Sequence, residues 1–205
     1  STFKPFTLAM AMDSGVVSGP GQIYSCPDVL PVYGHLVHDT HPFGRQCSVA
    51  EIMMESSNIG MAQIADQVGT ARQKAWLKKM GFLDRVEIEL KERGRALNPG
   101  SRWGPFETMT IGFGQGIAVA PLQLAMGYAT LFDGGIYHPP TILKRGPNNP
   151  LPPFWIGIFG VELPLKTVFE IRTLHALAAH IDTSVGDGRR ETMPAIERLT
   201  GAGPM

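Results

Sequence analysis

The spacing of apolar positions along this chain is mostly helical. From Thr2 to Met12, residues Phe3, Phe6, Leu8, Ala9 and Met12 recur near helical spacing, and Asp13-Ser14-Gly15 ends the run. Pro5 fits only a first turn, which puts the helix start at or just before Ser1. Residues 16–47 read as a Gly/Pro/His-rich loop region with short extended pieces such as Gly21 to Tyr24. A helical block follows: Val49 to Met54, then Glu55-Ser56-Ser57-Asn58, then Ile59 to Val68. Thr70 to Met80 is a further helix, apolar at Ala71, Trp76, Leu77 and Met80, with Gly81 as its stop. Val86 to Leu90 alternates and predicts a short strand or extended segment. Pro121 to Phe132 predicts a helix with Pro at its first position and Asp133-Gly134-Gly135 as its exit. Prolines punctuate residues 147–153 as a loop, Thr167 to His180 predicts a last amphipathic helix, and Val185 to Arg190 a turn. Helices dominate; strands are expected to be few and late. No fixed-period repeat is present, which excludes a solenoid.

Thr108 to Phe132 carries no charge, long enough for the ~20 residues of a membrane span. Its glycines, amides and proline favour a buried loop followed by a buried helix instead. The full chain has 205 residues, with 18 Lys+Arg against 18 Asp+Glu and 43% hydrophobic residues. That describes one domain, balanced in formal charge, and argues against both a nucleic-acid binder and a disordered chain. Its 24 Gly and 17 Pro make it loop-rich without being low-complexity. Cys26 and Cys47 lack metal spacing; a disulfide is open to them, but two unpaired buried thiols are the preferred expectation. His35, His38 and His41 read as solvated loop histidines, and Met53, Met54 and Met61 as core filler. No metal or organic cofactor is implied.

Two short motifs carry chemistry. Ser1-Thr2-Phe3-Lys4 is S-x-x-K, and helical spacing puts both side chains on one face. A lysine whose charge is disfavoured by burial can act as base for a serine nucleophile, and a helix N-terminus stabilises developing negative charge. Ser56-Ser57-Asn58 is S-x-N on a tight connection between helices. There a hydroxyl can relay a proton and an amide can hold a peptide carbonyl; plain helix capping is the competing reading.

These motifs, followed in order by His41-Pro42-Phe43-Gly44-Arg45-Gln46, Gly112-Phe113-Gly114-Gln115-Gly116, Pro121-Leu122-Gln123-Leu124-Ala125 and Asp133 to Pro140, resemble the transpeptidase domain of class B penicillin-binding proteins. The pattern is that of the septal cell-division peptidoglycan D,D-transpeptidases of Gram-negative bacteria. The resemblance implies an α/β (α+β) penicillin-binding/serine β-lactamase-like fold, here a helix-rich part with an incomplete antiparallel sheet. It implies Ser1 as nucleophile on a D-Ala–D-Ala carbonyl, Lys4 as base, Ser56 as proton relay and Asn58 as holder of the acyl-chain amide. It implies peptidoglycan stem peptides and β-lactams as ligands, and division-machinery membrane proteins as partners. The expected location is the periplasmic face of the bacterial inner membrane, with a membrane anchor upstream of Ser1. Residues 1–205 are read as a partial transpeptidase domain, family-like over 1–146 and divergent or corrupted over 147–205.

The family's third motif, Lys-Thr-Gly, is missing. Gly69-Thr70-Ala71 comes too early, and Lys166-Thr167-Val168 places a β-branched residue where glycine belongs. Leu199-Thr200-Gly201-Ala202 lies at the family's distance, so Thr200 and Gly201 are the candidate substrate-binding residues, with leucine in the cation's place. Four readings follow: a D,D-transpeptidase, a catalytically impaired penicillin-binding-like module, a serine β-lactamase, and an N-terminal-nucleophile hydrolase. The first is preferred.

Overall fold

The computed structural model describes residues 2–144 and the backbone of 154–155. Ser1, the loop at 147–153, the helix expected at Thr167–His180, the turn at 185–190 and the three residues Leu199, Thr200 and Gly201 lie outside the described residues.

Helix α1 (Lys4–Asp13) is buried on nearly every side, with Phe6, Thr7, Met10 and Ala11 at 2% exposure or less. A helix with so little polar surface belongs in the middle of a core. Pro5 sits in its first turn as expected, although the helix begins at Lys4 rather than at Ser1. Its far end is held by the Trp76 indole N–H, which donates to Asp13 Oδ2 at 3.0 Å. Its near end packs into an aromatic cluster in which Phe6 lies 4.8 Å from both Phe82 and Tyr128, centroid to centroid.

Four short strands follow: β1 (Ile23–Cys26), β2 (Val29–Val32), β3 (His35–His38) and β4 (Arg45–Ser48). They form two antiparallel pairs, β1 with β4 and β2 with β3. This corrects the expectation of few and late strands. Each strand has only four residues, and prolines, glycines and histidines between them hide the period of two. The β2–β3 turn is Tyr33-Gly34, both at positive φ, which is the backbone a two-residue hairpin requires. The β1–β4 register sets Tyr24 opposite Cys47 and Cys26 opposite Arg45. Cys26 and Cys47 are therefore diagonal neighbours on one face, and they are joined as a disulfide with Cα atoms 5.9 Å apart. Burial of both cysteines agrees with the sequence reading; their being unpaired does not.

Helices α2 (Val49–Met54), α3 (Asn58–Val68) and α4 (Thr70–Lys79) match the predicted block. Val86–Leu90 is not a strand. Its alternation has no partner edge; Ile88 N–H bonds locally to Val86 O, and the Glu89 carboxylate accepts from Thr141 and from Ile142 N–H. Residues 108–112, expected as part of a buried loop, belong to helix α5 (Pro105–Gly112). Pro105 at N1 and Glu107, which accepts from Gly104 N–H at 2.9 Å, were its start signals. The loop from Phe113 to Ala120 then leads to helix α6 (Pro121–Phe132), as predicted.

Strand β5 (Ile136–Tyr137) pairs antiparallel with β6 (Phe154–Trp155). Met61 is core filler as expected, whereas Met54 is 77% exposed. No helix among the described residues is long and apolar enough to cross a membrane.

Helices α3 and α5 cross closely because Gly112 has no side chain: a Cβ there would lie 2.5 Å from Ala65 Cβ. Thr7 ties α1 into the same layer by donating to Gly112 O at 2.8 Å. Helices α1, α3 and α5 thus share one core, and the N-terminus of α1 meets the α2–α3 connection at its edge.

Candidate active site

Lys4 is the first residue of α1 and is 2% exposed. Its neighbours fix it there. Phe3 packs 5.6 Å from Phe82, and the Tyr128 hydroxyl donates to Thr2 O at 2.8 Å. A cation at the positive end of a helix is disfavoured. Burial holds the Lys4 amine below its usual pKa, while the Asp39 carboxylate pulls it part of the way back up.

The Lys4 amine donates to Ser56 Oγ at 2.9 Å and also to Ser56 O. Ser56 itself is exposed. A surface hydroxyl is therefore backed by a buried amine whose charged form is disfavoured. The local chain explains how Ser56 arrives there. Ser48 and Glu51 form a capping box that starts α2. At its other end, Ser57 N–H bonds to Ile52 O at 2.9 Å and Ser56 N–H to Met53 O at 3.3 Å. That is a Schellman stop, whose left-handed position is normally glycine. Here Ser56 occupies it, with φ of 56°. A non-glycine residue in that conformation costs about 1 kcal/mol, and a site that retains its hydroxyl despite this is a candidate for function.

Capping falls to Ser57, not to Ser56 or Asn58. Ser57 Oγ accepts from Gly60 N–H at 2.9 Å and donates to Asp39 Oδ2 at 2.6 Å. Asp39 Oδ1 accepts from Asn58 N–H and, at 3.0 Å, from Ile59 N–H. The Asn58 side-chain amide donates to His38 O at 2.9 Å.

Of the residues singled out in the sequence, the structure brings Lys4 and Ser56 into contact and sets Asn58 two residues further on, at the first position of α3. Ser1, Thr200 and Gly201 lie outside the described residues. Sequence reasoning missed Asp39 and Tyr128, which reach the site from 18 and 126 residues away respectively. Neither carries a local signal. Among the described residues, no group of three or more His, Cys, Asp or Glu is placed to hold a metal ion.

Comparison with known proteins places this chain in a family. Residues 1–196 match the family described as "Penicillin binding protein transpeptidase domain". The chain is 32% identical over 148 residues to the probable peptidoglycan D,D-transpeptidase FtsI of Caulobacter vibrioides, covering 72% of this chain and 25% of that protein. It is 30% identical over 151 residues to the peptidoglycan D,D-transpeptidase FtsI of Escherichia coli K12, covering 73% and 25%. The chain thus spans about a quarter of the length of these curated relatives. The fold is shared with the TP domain of Burkholderia pseudomallei penicillin-binding protein 3, at a TM-score of 0.68 and 24% identity over 83% of this chain and 50% of that one. With a match over nearly its whole length, this chain belongs to the penicillin-binding protein transpeptidase domain family.

Proposed function

We propose that this chain carries the acyl-transfer site of a peptidoglycan D,D-transpeptidase. Ser1 attacks the D-Ala–D-Ala carbonyl of a stem peptide while Lys4 takes its proton. Ser56 relays that proton to the departing D-Ala amine, and Asn58 holds the acyl-chain amide. The amine of a second stem peptide then displaces Ser1 from the acyl-enzyme and forms the cross-link. β-Lactams acylate the same serine. The observation that carries the reading is the buried Lys4 amine bonded to the Ser56 hydroxyl at the start of a helix. A base must be neutral to accept a proton, and burial favours the neutral amine.

Similarity to two peptidoglycan D,D-transpeptidases supports a role in wall synthesis, and the ordered motifs from Ser1 to Pro140 support a septal one. The Cys26–Cys47 disulfide supports an oxidising compartment such as the periplasmic face of the inner membrane. In the third motif, Thr200 and Gly201 line the substrate and Leu199 stands in the cation's place. The missing Lys-Thr-Gly favours a second reading, a catalytically impaired module of the same fold.

Incubation with a fluorescent penicillin tests the proposal. Stable label on Ser1 is expected at a low level, because Leu199 stands in the cation's place, and it should be absent in Ser1→Ala and slowed at least ~10²-fold in Lys4→Ala. A folded protein that takes no label would establish the impaired module, and label lost by rapid turnover would indicate a β-lactamase.

A further inference from the structure

We propose that Asp39 is a positioning residue of this site, its carboxylate holding the Ser56-Ser57-Asn58 turn in register with Lys4. The inference rests on the acyl-transfer reading above and adds a residue to it. Asp39 follows β3, and both of its oxygens are used on the same turn. One accepts from the Ser57 hydroxyl, the other from the backbone N–H groups of Asn58 and Ile59. Such bonds to a charged acceptor are roughly twice as strong as neutral ones.

Capping alone does not require this arrangement, because Ser57 already caps α3 through Gly60 N–H. The preceding residue grips the same turn: His38 O accepts from the Asn58 side chain. Asn58 is thereby held by backbone and side chain from one short segment. Asp39 also faces the base. The charged or titratable groups on the elements around Lys4 are Asp13 on α1, His35 and His38 on β3, Asp39 and His41 after it, Glu51 on α2, Glu55 beside Ser56, Asp66 on α3, Glu107 on α5 and Tyr128 on α6. Of these, Asp39 is the group whose charge acts on the Lys4 amine, and it favours the protonated form. The same carboxylate thus orients the relay and sets how readily the base is neutral.

The test uses the full chain with Asp39→Ala and Asp39→Asn, and Asn98→Ala as a control that removes an exposed hydrogen bond, to Gly100 N–H, without touching Asp39 or the Ser56 turn. Acylation by fluorescent penicillin is read per folded molecule, with circular dichroism giving the folded fraction. Asp39→Ala should acylate about 10²-fold more slowly, the loss typical of a site displaced by about 1 Å. Asp39→Asn should recover part of that rate, and the acidic limb of its pH–rate profile should move to lower pH. Asn98→Ala should acylate at the wild-type rate. The inference is overturned if Asp39→Ala loses rate only in proportion to unfolding, or if the Asp39→Asn limb stays in place or moves up. A ¹³C NMR titration of Lys4 Cε, assigned with Lys4→Arg, separates the two claims. A wild-type protein that takes no penicillin, but whose Lys4 titrates lower in Asp39→Asn, refutes the acyl-transfer reading and upholds the Asp39 coupling. An unmoved Lys4 titration overturns the Asp39 inference whatever the labelling.

Discussion

Gly60 lies in the first turn of α3, directly behind the site, and its replacement by alanine sets two effects of opposite sign against each other. Helix propensity favours alanine by about 1 kcal/mol. Packing opposes it: a Cβ at position 60 would lie 2.5, 2.6 and 2.7 Å from three side-chain carbons of Ile52. Ile52 is fully buried, so it cannot swing into solvent. Reaching ordinary carbon–carbon separation requires a retreat of about 1 Å, and overpacking of this kind costs about 1–3 kcal/mol. The expected net is a loss of about 1 kcal/mol, read as a drop of about 2–4 °C in Tm. The displacement also reaches the chemistry, because Ile52 O is the acceptor of Ser57 N–H in the turn that presents Ser56. A shift near 1 Å there lowers penicillin acylation by about 10²-fold. Thermal denaturation and labelling rates measured on Gly60→Ala, Ile52→Ala and the double variant complete the assay. The added methyl fills space that Ile52→Ala vacates, so the double variant should be more stable than additivity allows, by about 1–3 kcal/mol. A Gly60→Ala protein that is more stable than wild type and labels at full rate would show that α2 and α3 have slack at this crossing, and the packing argument would fail.

Ser56→Gly should raise stability by about 1 kcal/mol by relieving the left-handed serine, while penicillin labelling falls at least ~10²-fold; equal labelling would remove Ser56 from the chemistry. Reducing the Cys26–Cys47 bond, which links residues 21 apart, should cost about 3 kcal/mol, seen as a lower Tm in dithiothreitol. Alkylation of the unreduced, unfolded protein should add no mass. Glu51 is held down to about 2 from 4.5, first by the Arg45 guanidinium and then by Ser48. Its contribution to stability is therefore full above pH 4.5 and is lost as pH falls through about 2. Glu51→Gln should flatten the acid limb of stability across that window, and an unchanged limb would refute the assignment.

Most helices were legible because their signals are local, although α5 was read as loop despite Pro105 and Glu107 at its start. Pro121 at N1 and the Asp133-Gly134-Gly135 exit bound α6 in the sequence as they do in the structure. The early strands were not legible, because four-residue strands are too short for a period of two to rise above the intervening prolines and glycines. Val86–Leu90 failed in the opposite way: alternation shows which residues could share a face, but it cannot supply a neighbouring strand. At the site, Lys4, Ser56 and Asn58 could be named from motif spacing. Asp39 could not, since nothing near it in sequence shows that its carboxylate caps a helix beginning at Asn58.

The site's residues share a physical character that its scaffold lacks. Glycine would relax position 56, and an apolar side chain would suit the buried place of Lys4. Neither the serine nor the lysine is needed to close the α2–α3 turn or to start α1. The surrounding bonds act to hold these two unfavourable choices together. Tyr128 and the phenylalanine cluster fix the first turn of α1, Thr7 ties that helix to α5, and Asp39 with Ser57 fixes the start of α3. A fold optimised only for stability would have no reason to bring a strained hydroxyl and a desolvated amine within hydrogen-bond distance. The proton transfer proposed above supplies one, because the Ser56 hydroxyl is exposed and burial disfavours the charged form of the amine.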